Sequence, residues 1–185
     1  MKILVSTLLF FSSFSGFSQI LPDTGMMKAL GPVGYRDTRV AFKQFQLSSI
    51  DGNGFTDDSL KNKVTFINFW FEACAPCIAE FEALNDLYRK YSSHENFRFL
   101  SFTFETPEAA RLTVEKYQLA FPVICVDKAA IYDLLFQLGF PTSMVTDRAG
   151  VISFVKCGGP NEADHARLQV DTLFSREIER QLYSR

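Results

Sequence analysis

Two cysteines, Cys74 and Cys77, flank the dipeptide Ala75-Pro76. If this stretch is helical, the two thiols sit one turn apart, close enough to close and reopen a disulfide. The flanks support that geometry. Val64-Thr65-Phe66-Ile67-Asn68-Phe69-Trp70 is a β-branched and aromatic run that reads as a strand. A helix is expected from the cysteines to about Tyr91, with Ile78, Phe81, Leu84, Tyr88 and Tyr91 in steps of three and four. Pro76 suits the first turn, where its missing N–H costs nothing. Cys74 then falls at the helix N-terminus, where unpaired N–H groups and the dipole favour an anion. A thiolate in that setting has a lowered pKa and attacks disulfides near neutral pH. Cys74 is expected at the exposed helix tip as the attacking sulfur, with Cys77 one turn in to resolve.

Zinc and an inert structural disulfide are the rival readings. Structural zinc asks for a second cysteine pair or a closely spaced histidine pair. The other cysteines, Cys125 and Cys157, stand single, and His94 and His165 lack ligand spacing. No metal and no cofactor are therefore expected. Cys125 lies in an apolar run and reads as a small core hydrophobe. Cys157 precedes two glycines at a strand end and reads as more accessible.

The remaining elements follow from pattern. Phe42, Phe45 and Leu47, then Asp51-Gly52-Asn53-Gly54-Phe55, predict a β-hairpin. Residues 57–63 read as a polar turn. Phe97 to Phe104 is a second strand, and Thr106-Pro107 starts a helix to about Gln118 with Thr as cap. Residues 121–127 are a short extended piece, and Ala129 to Leu138 a helix closed by Gly139. Phe140 to Thr146 and Val151 to Lys156 form a hairpin about Asp147-Arg148-Ala149-Gly150. Asn161 is expected to cap a terminal helix bearing Val170, Phe174, Ile178 and Leu182. Strand–helix–strand followed by a hairpin predicts an α/β fold: a mixed central sheet flanked by helices, with an N-terminal hairpin extension.

A chain of 185 residues with 47% apolar content and 20 phenylalanines suffices for one domain with an aromatic core. A net charge of −2, without a basic stripe, argues against nucleic-acid binding. The first residues resemble a secretion signal. Lys2 is followed by a Ser-broken apolar stretch, Ile3 to Phe17, and Gly16 and Ser18 suit cleavage before Gln19. The alternative is an uncleaved anchor, although spanning takes about 20 apolar residues. The expected organisation is a signal over 1–18, an extended leader over 19–40 and the domain over 41–185. Its place is periplasmic or otherwise extracytoplasmic, where disulfides persist.

These motifs resemble the thioredoxin superfamily, and within it the TlpA/ResA-like extracytoplasmic thiol–disulfide oxidoreductases. The resemblance rests on Ile67-Asn68-Phe69-Trp70, Cys74-Ala75-Pro76-Cys77, Glu80-Phe81, Gly139-Phe140-Pro141-Thr142 and Asp147-Arg148-Ala149-Gly150-Val151-Ile152, and covers about residues 40–185. It implies a thioredoxin-like fold and a redox pair formed by Cys74 and Cys77. It implies a cis Pro141 facing that pair, which would leave the backbone of Phe140 for an incoming peptide strand. It implies that Glu80 tunes the thiols and moves their protons; the bland alternative is an acid favoured near a helix start. Trp70 and Ala73 complete the expected substrate-binding residues. Two departures stand out. Asn68 occupies the place of the buried acid of thioredoxins, and Ala73 the place of the usual Trp. Glu72 adds negative charge beside the pair.

The function these residues predict is reduction of protein disulfides. The absence of His between the cysteines favours a reductase or isomerase over a strong oxidant. Partners would be disulfide-containing proteins and a membrane electron donor, with the protein itself a monomer. Two alternatives stay open: a peptide-binding module with a static disulfide, and a peroxide-reducing relative, which would need a single peroxidatic cysteine in a Pro/Thr-rich loop.

Overall fold

The computed structural model describes residues 34–184, so the signal-like stretch and the leader up to residue 33 lie outside the described residues. The strands are β1 (Tyr35–Arg36), β2 (Gln46–Ser48), β3 (Gly54–Thr56), β4 (Val64–Trp70), β5 (Phe97–Thr103), β6 (Val123–Cys125), β7 (Thr142–Thr146) and β8 (Ile152–Cys157). The helices are α1 (Asp57–Leu60), α2 (Ala75–Tyr91), α3 (Pro107–Tyr117), α4 (Lys128–Leu134), α5 (Ala163–Gln169) and α6 (Arg176–Tyr183), with a π-helical segment, Val170–Ser175, between the last two.

Six strands form one sheet in the order β1-β8-β7-β4-β5-β6. Every residue of β4 is buried. That is why its sequence is continuously apolar rather than alternating: helices cover both faces of this central strand. It pairs in parallel with β5, from Val64↔Phe97 to Trp70↔Thr103, and antiparallel with β7, from Thr65↔Thr146 to Phe69↔Thr142. Alternate side chains feed two cores. Val64, Phe66 and Trp70 join one beneath α2 and the C-terminal helices, where Phe66 meets Phe174 at 5.2 Å between ring centroids. Ile67 and Phe69 join the other beneath α4 and the β2–β3 hairpin, where Phe69 stacks on Phe102 at 5.3 Å. The mixed sheet, the parallel β4–β5 pair and the β7–β8 hairpin match the sequence expectation. The hairpin pairs Gln46↔Thr56 through Ser48↔Gly54.

Four expectations are corrected. Residues 57–60, read as polar turn, form α1. Residues 35–36, within the stretch read as leader, add β1 to the sheet edge against β8. Helix α4 begins at Lys128 on an Asp127 cap and ends at Leu134, short of Gly139. Phe136 and Gln137 then take left-handed φ values of 58° and 60°, which ends the helix before the glycine is reached. The terminal helix is capped at position Glu162 rather than Asn161, without a side-chain bond, and is broken by the π segment. The break has a cause in the sequence. Val170, Phe174, Ile178 and Leu182 recur every four residues, and an α-helix drifts by about 40° over four residues. One wider π turn absorbs drift and all four side chains stay buried.

Candidate functional site

The redox pair sits where β4 hands over to α2. Cys74 and Cys77 form a disulfide with Cα atoms 5.2 Å apart. Cys74 is the N-cap of α2: its backbone is extended and its sulfur accepts a hydrogen bond from Cys77 N at 3.3 Å. Pro76 occupies the first turn, as its missing donor allows. When the disulfide opens, the Cys77 N–H and the helix dipole are already directed at the sulfur that carries charge. The expectation of an exposed Cys74 needs correcting. Cys74 is 4% and Cys77 1% exposed, because the preceding turn folds Cys74 back, its N donating to Phe71 O at 3.2 Å.

The Phe140–Pro141 peptide bond is cis. The antiparallel pairing of Thr142 with Phe69 sets Pro141 beside Trp70, at the end of β4 from which the cysteine loop departs. Pro141 is buried and Phe140 half-buried. Gly158 N donates to Pro141 O at 2.7 Å, which fixes the loop after β8 across the same end of the sheet. A Cβ at Gly159 would lie 2.6 Å from Glu80 Oε1 and 3.4 Å from Pro141 Cγ. A glycine lets the backbone close between these two side chains without displacing the Glu80 carboxyl. Glu80 and Pro141, 61 positions apart in the chain, are thus brought to one place.

Glu80 is 1% exposed, and the first turn of α2 holds no acid. Its burial is therefore not that of a surface residue serving the helix dipole. Gln169 Nε2 donates to Glu80 Oε1 at 3.0 Å, while Oε2 has no hydrogen-bond partner among the described residues. Burial pushes the Glu80 carboxyl from 4.5 up to about 8, against the opposing pull of the Lys156 charge and the Gln169 hydrogen bond. Lys156 is itself 7% exposed, donates to Gly158 O at 2.8 Å, and is pushed down by burial against the pull of Glu80 and Cys157. Lys156, Gln169 and Gly159 escaped the sequence reading. One signal was available: a lysine ending the otherwise apolar strand Val151-Ile152-Ser153-Phe154-Val155-Lys156.

The other expected residues separate. Ala73 is exposed on the rim beside Cys74. Trp70, expected to touch substrate, is fully buried and donates from Nε1 to Ser101 Oγ at 2.6 Å. It supports the cysteine loop from below through the first core and is corrected from a binding to a scaffold residue. Asn68, 1% exposed, donates from Nδ2 to Ser143 Oγ at 3.0 Å, and its Oδ1 is unpartnered among the described residues. Glu72 is exposed, its N donating to Glu105 Oε1 at 2.9 Å. Cys125 and Cys157 are free and half-buried, so Cys125 is less enclosed than its apolar run suggested. Among the described residues no group of three or more His, Cys, Asp or Glu is placed to hold a metal ion, and no helix is long and apolar enough to cross a membrane.

Residues 39–155 match the AhpC/TSA family. The chain is 32% identical over 109 residues to the thiol–disulfide oxidoreductase ResA of Bacillus cereus, covering 58% of this chain and 62% of that one. It is 28% identical over 116 residues to the thioredoxin-like protein YneN of Bacillus subtilis, covering 62% and 68%. Among solved structures it is similar to a putative protein disulfide isomerase from Bacteroides thetaiotaomicron, with a TM-score of 0.67, 21% identity and coverage of 82% of this chain and 94% of that one. That likeness is one of fold, and the fold is thioredoxin-like. With a disulfide at the head of α2, a cis proline at the adjoining strand and a thioredoxin-like fold, the chain, matched over more than half its length, belongs to the AhpC/TSA family.

Proposed function

We propose that this protein reduces disulfides of other proteins outside the cytoplasm, with Cys74 as nucleophile, Cys77 as resolving thiol and Glu80 as proton carrier. The observation that carries the reading is the Cys74–Cys77 pair on a helix whose next turn buries an unpaired carboxyl oxygen. In the reduced protein the Cys74 thiolate attacks one sulfur of the substrate disulfide. A mixed disulfide forms and the first substrate thiolate leaves. Cys77 gives its proton to Glu80 and attacks Cys74 Sγ, which expels the second substrate thiolate and restores the Cys74–Cys77 disulfide. Two electrons have moved from the cysteine pair to the substrate. A membrane electron carrier returns them. A carboxyl near 8 is close to the ordinary thiol range, so proton transfer between them is nearly balanced.

Phe140 and Pro141 frame the substrate. Proline has no N–H, and the backbone of Phe140 has no hydrogen-bond partner among the described residues, so an extended peptide can pair there. The signal-like first residues support the extracytoplasmic placement. Substitution of Cys74 by Ser should abolish exchange, and Cys77→Ser should accumulate a mixed disulfide with substrate, visible on a non-reducing gel. Faster alkylation of Cys77 than of Cys74 in the reduced protein would reverse the roles.

A further inference from the structure

Four aromatic rings from four separate segments meet beside the redox loop. Phe71 follows β4, Phe104 follows β5, Tyr132 belongs to α4 and Phe140 precedes the cis proline. Phe71 stacks on Phe104 at 5.5 Å and meets Phe140 edge-on at 5.3 Å. Phe104 and Tyr132 meet Phe140 edge-on at 5.7 and 5.8 Å. All four are partly exposed, unlike the fully enclosed Phe66, Phe69 and Phe102 of the core. An aromatic cluster left half in water is a marker of contact with something else. Its position identifies the occupant. Phe71 O holds the Cys74 N–H, and Phe140 is the residue whose backbone an incoming strand would meet.

We propose that Phe71, Phe104, Tyr132 and Phe140 form a subsite for a large apolar or aromatic side chain two residues from the target cysteine of a protein disulfide. The inference rests on the exchange reading above. A strand advances about 3.3 Å per residue. Successive side chains point to opposite faces, so the side chain two residues from the attacked cysteine shares its face, roughly 7 Å along the strand. Lys128 lies 5.6 Å over the Phe104 ring. An acidic side chain at this position is disfavoured, because its carboxylate would leave water for an aromatic surface.

The test uses the reduced full-length protein and disulfide-linked dimers of a short peptide with one cysteine, the residue two positions from it being Phe, Leu, Ser or Glu. Bis(2-hydroxyethyl) disulfide, which has no side chain to place, is the reference. The Phe peptide should be reduced about tenfold faster than the Ser peptide, as a filled apolar pocket typically allows, and the Glu peptide slowest. Phe104→Ala should bring the Phe-to-Ser ratio to about threefold or less, with the reference rate unchanged within about twofold. Tyr132→Ser supplies a second variant on a different element. Equal rates for the Phe and Ser peptides, with the reference still reduced, overturn the subsite alone. A ratio untouched by both variants also overturns it. No reduction of the reference disulfide removes the exchange reading and the subsite with it.

Discussion

Glu80 and Glu177 both project from helices packed on the sheet, 1% and 0% exposed, yet their carboxyls are displaced in opposite directions. Glu177 lies between two arginines. Arg180 donates to both of its oxygens at 3.0 and 2.8 Å, Gln181 donates at 2.8 Å, and Arg36 of the edge strand β1 adds a further ion pair. Burial works against its charge, but these bonds outweigh it and hold the carboxyl below the usual range. Glu80 has one amide, a lysine that is itself discouraged from charging, and an empty oxygen. Burial therefore dominates and the proton stays on into the thiol range. Depth alone does not decide the role of a carboxylate. Glu177, fully bonded, ties β1 and α6 to the fold; Glu80, under-bonded and one turn beyond Cys77, is the carboxyl to which the proposed exchange assigns the proton.

The largest expected effect follows from Glu80. An acid with a raised folded pKa binds more protons in the folded state than in the unfolded one. Its contribution is therefore fully present below about 4.5 and is lost as pH rises to about 8, at about 1.4 kcal/mol per pH unit. Glu80→Gln keeps the shape and removes the slope, so denaturant melts should show the variant gaining on the wild type across that window. Parallel stability curves would mean that Glu80 titrates normally. In the same variant the pH profile of disulfide reduction should change, since the proposed acceptor of the Cys77 proton is gone.

Glu177 should behave in the opposite sense. A lowered carboxyl contributes stability above the usual carboxylate range and loses it as pH falls through the folded value. Glu177→Ala should cost about 2–3 kcal/mol at neutral pH, because Arg36 and Arg180 lose their common partner but remain half exposed to water. Exchange by the folded variant should be unaltered. A variant that melts like the wild type, or loses exchange while folded, would break the contrast.

Lys156→Met gives the smallest shift. Without the lysine charge the Glu80 carboxyl rises further, so the stability break and the exchange profile should both move alkaline, by up to about one pH unit. Lys156→Arg, which keeps the charge, should restore the wild-type position. Unmoved profiles in the methionine variant would assign the Glu80 shift to burial and Gln169 alone.

Local pattern revealed much of this design, and its gaps are physical. The β4 run, the proline in the first turn of α2 and the Thr106-Pro107 helix start are written in adjacent residues, and the structure places them there. The cis bond at Pro141 followed from the resemblance, as no local rule demands it. The partners of Glu80 were invisible because Lys156 and Gln169 lie 76 and 89 positions along the chain, and only sheet order and helix packing bring them in. The π segment was partly legible. The strict four-residue recurrence from Val170 to Leu182 does not fit an undistorted α-helix, so the spacing implies a distortion without fixing its place. Trp70 misled for the opposite reason: its neighbourhood to the cysteines in sequence hid the fact that β4 is covered on both faces.

The proposed exchange needs Cys74–Cys77 to be a reducing redox couple. Equilibrating the protein in glutathione and dithiothreitol buffers, with the pair quantified by thiol labelling, tests it directly. A reducing couple gives a single two-electron transition nearer to roughly −270 mV, the thioredoxin value, than to roughly −120 mV, that of a strong oxidant. A transition at the oxidising end, or a pair that stays oxidised across the buffers that reduce thioredoxin, would contradict it.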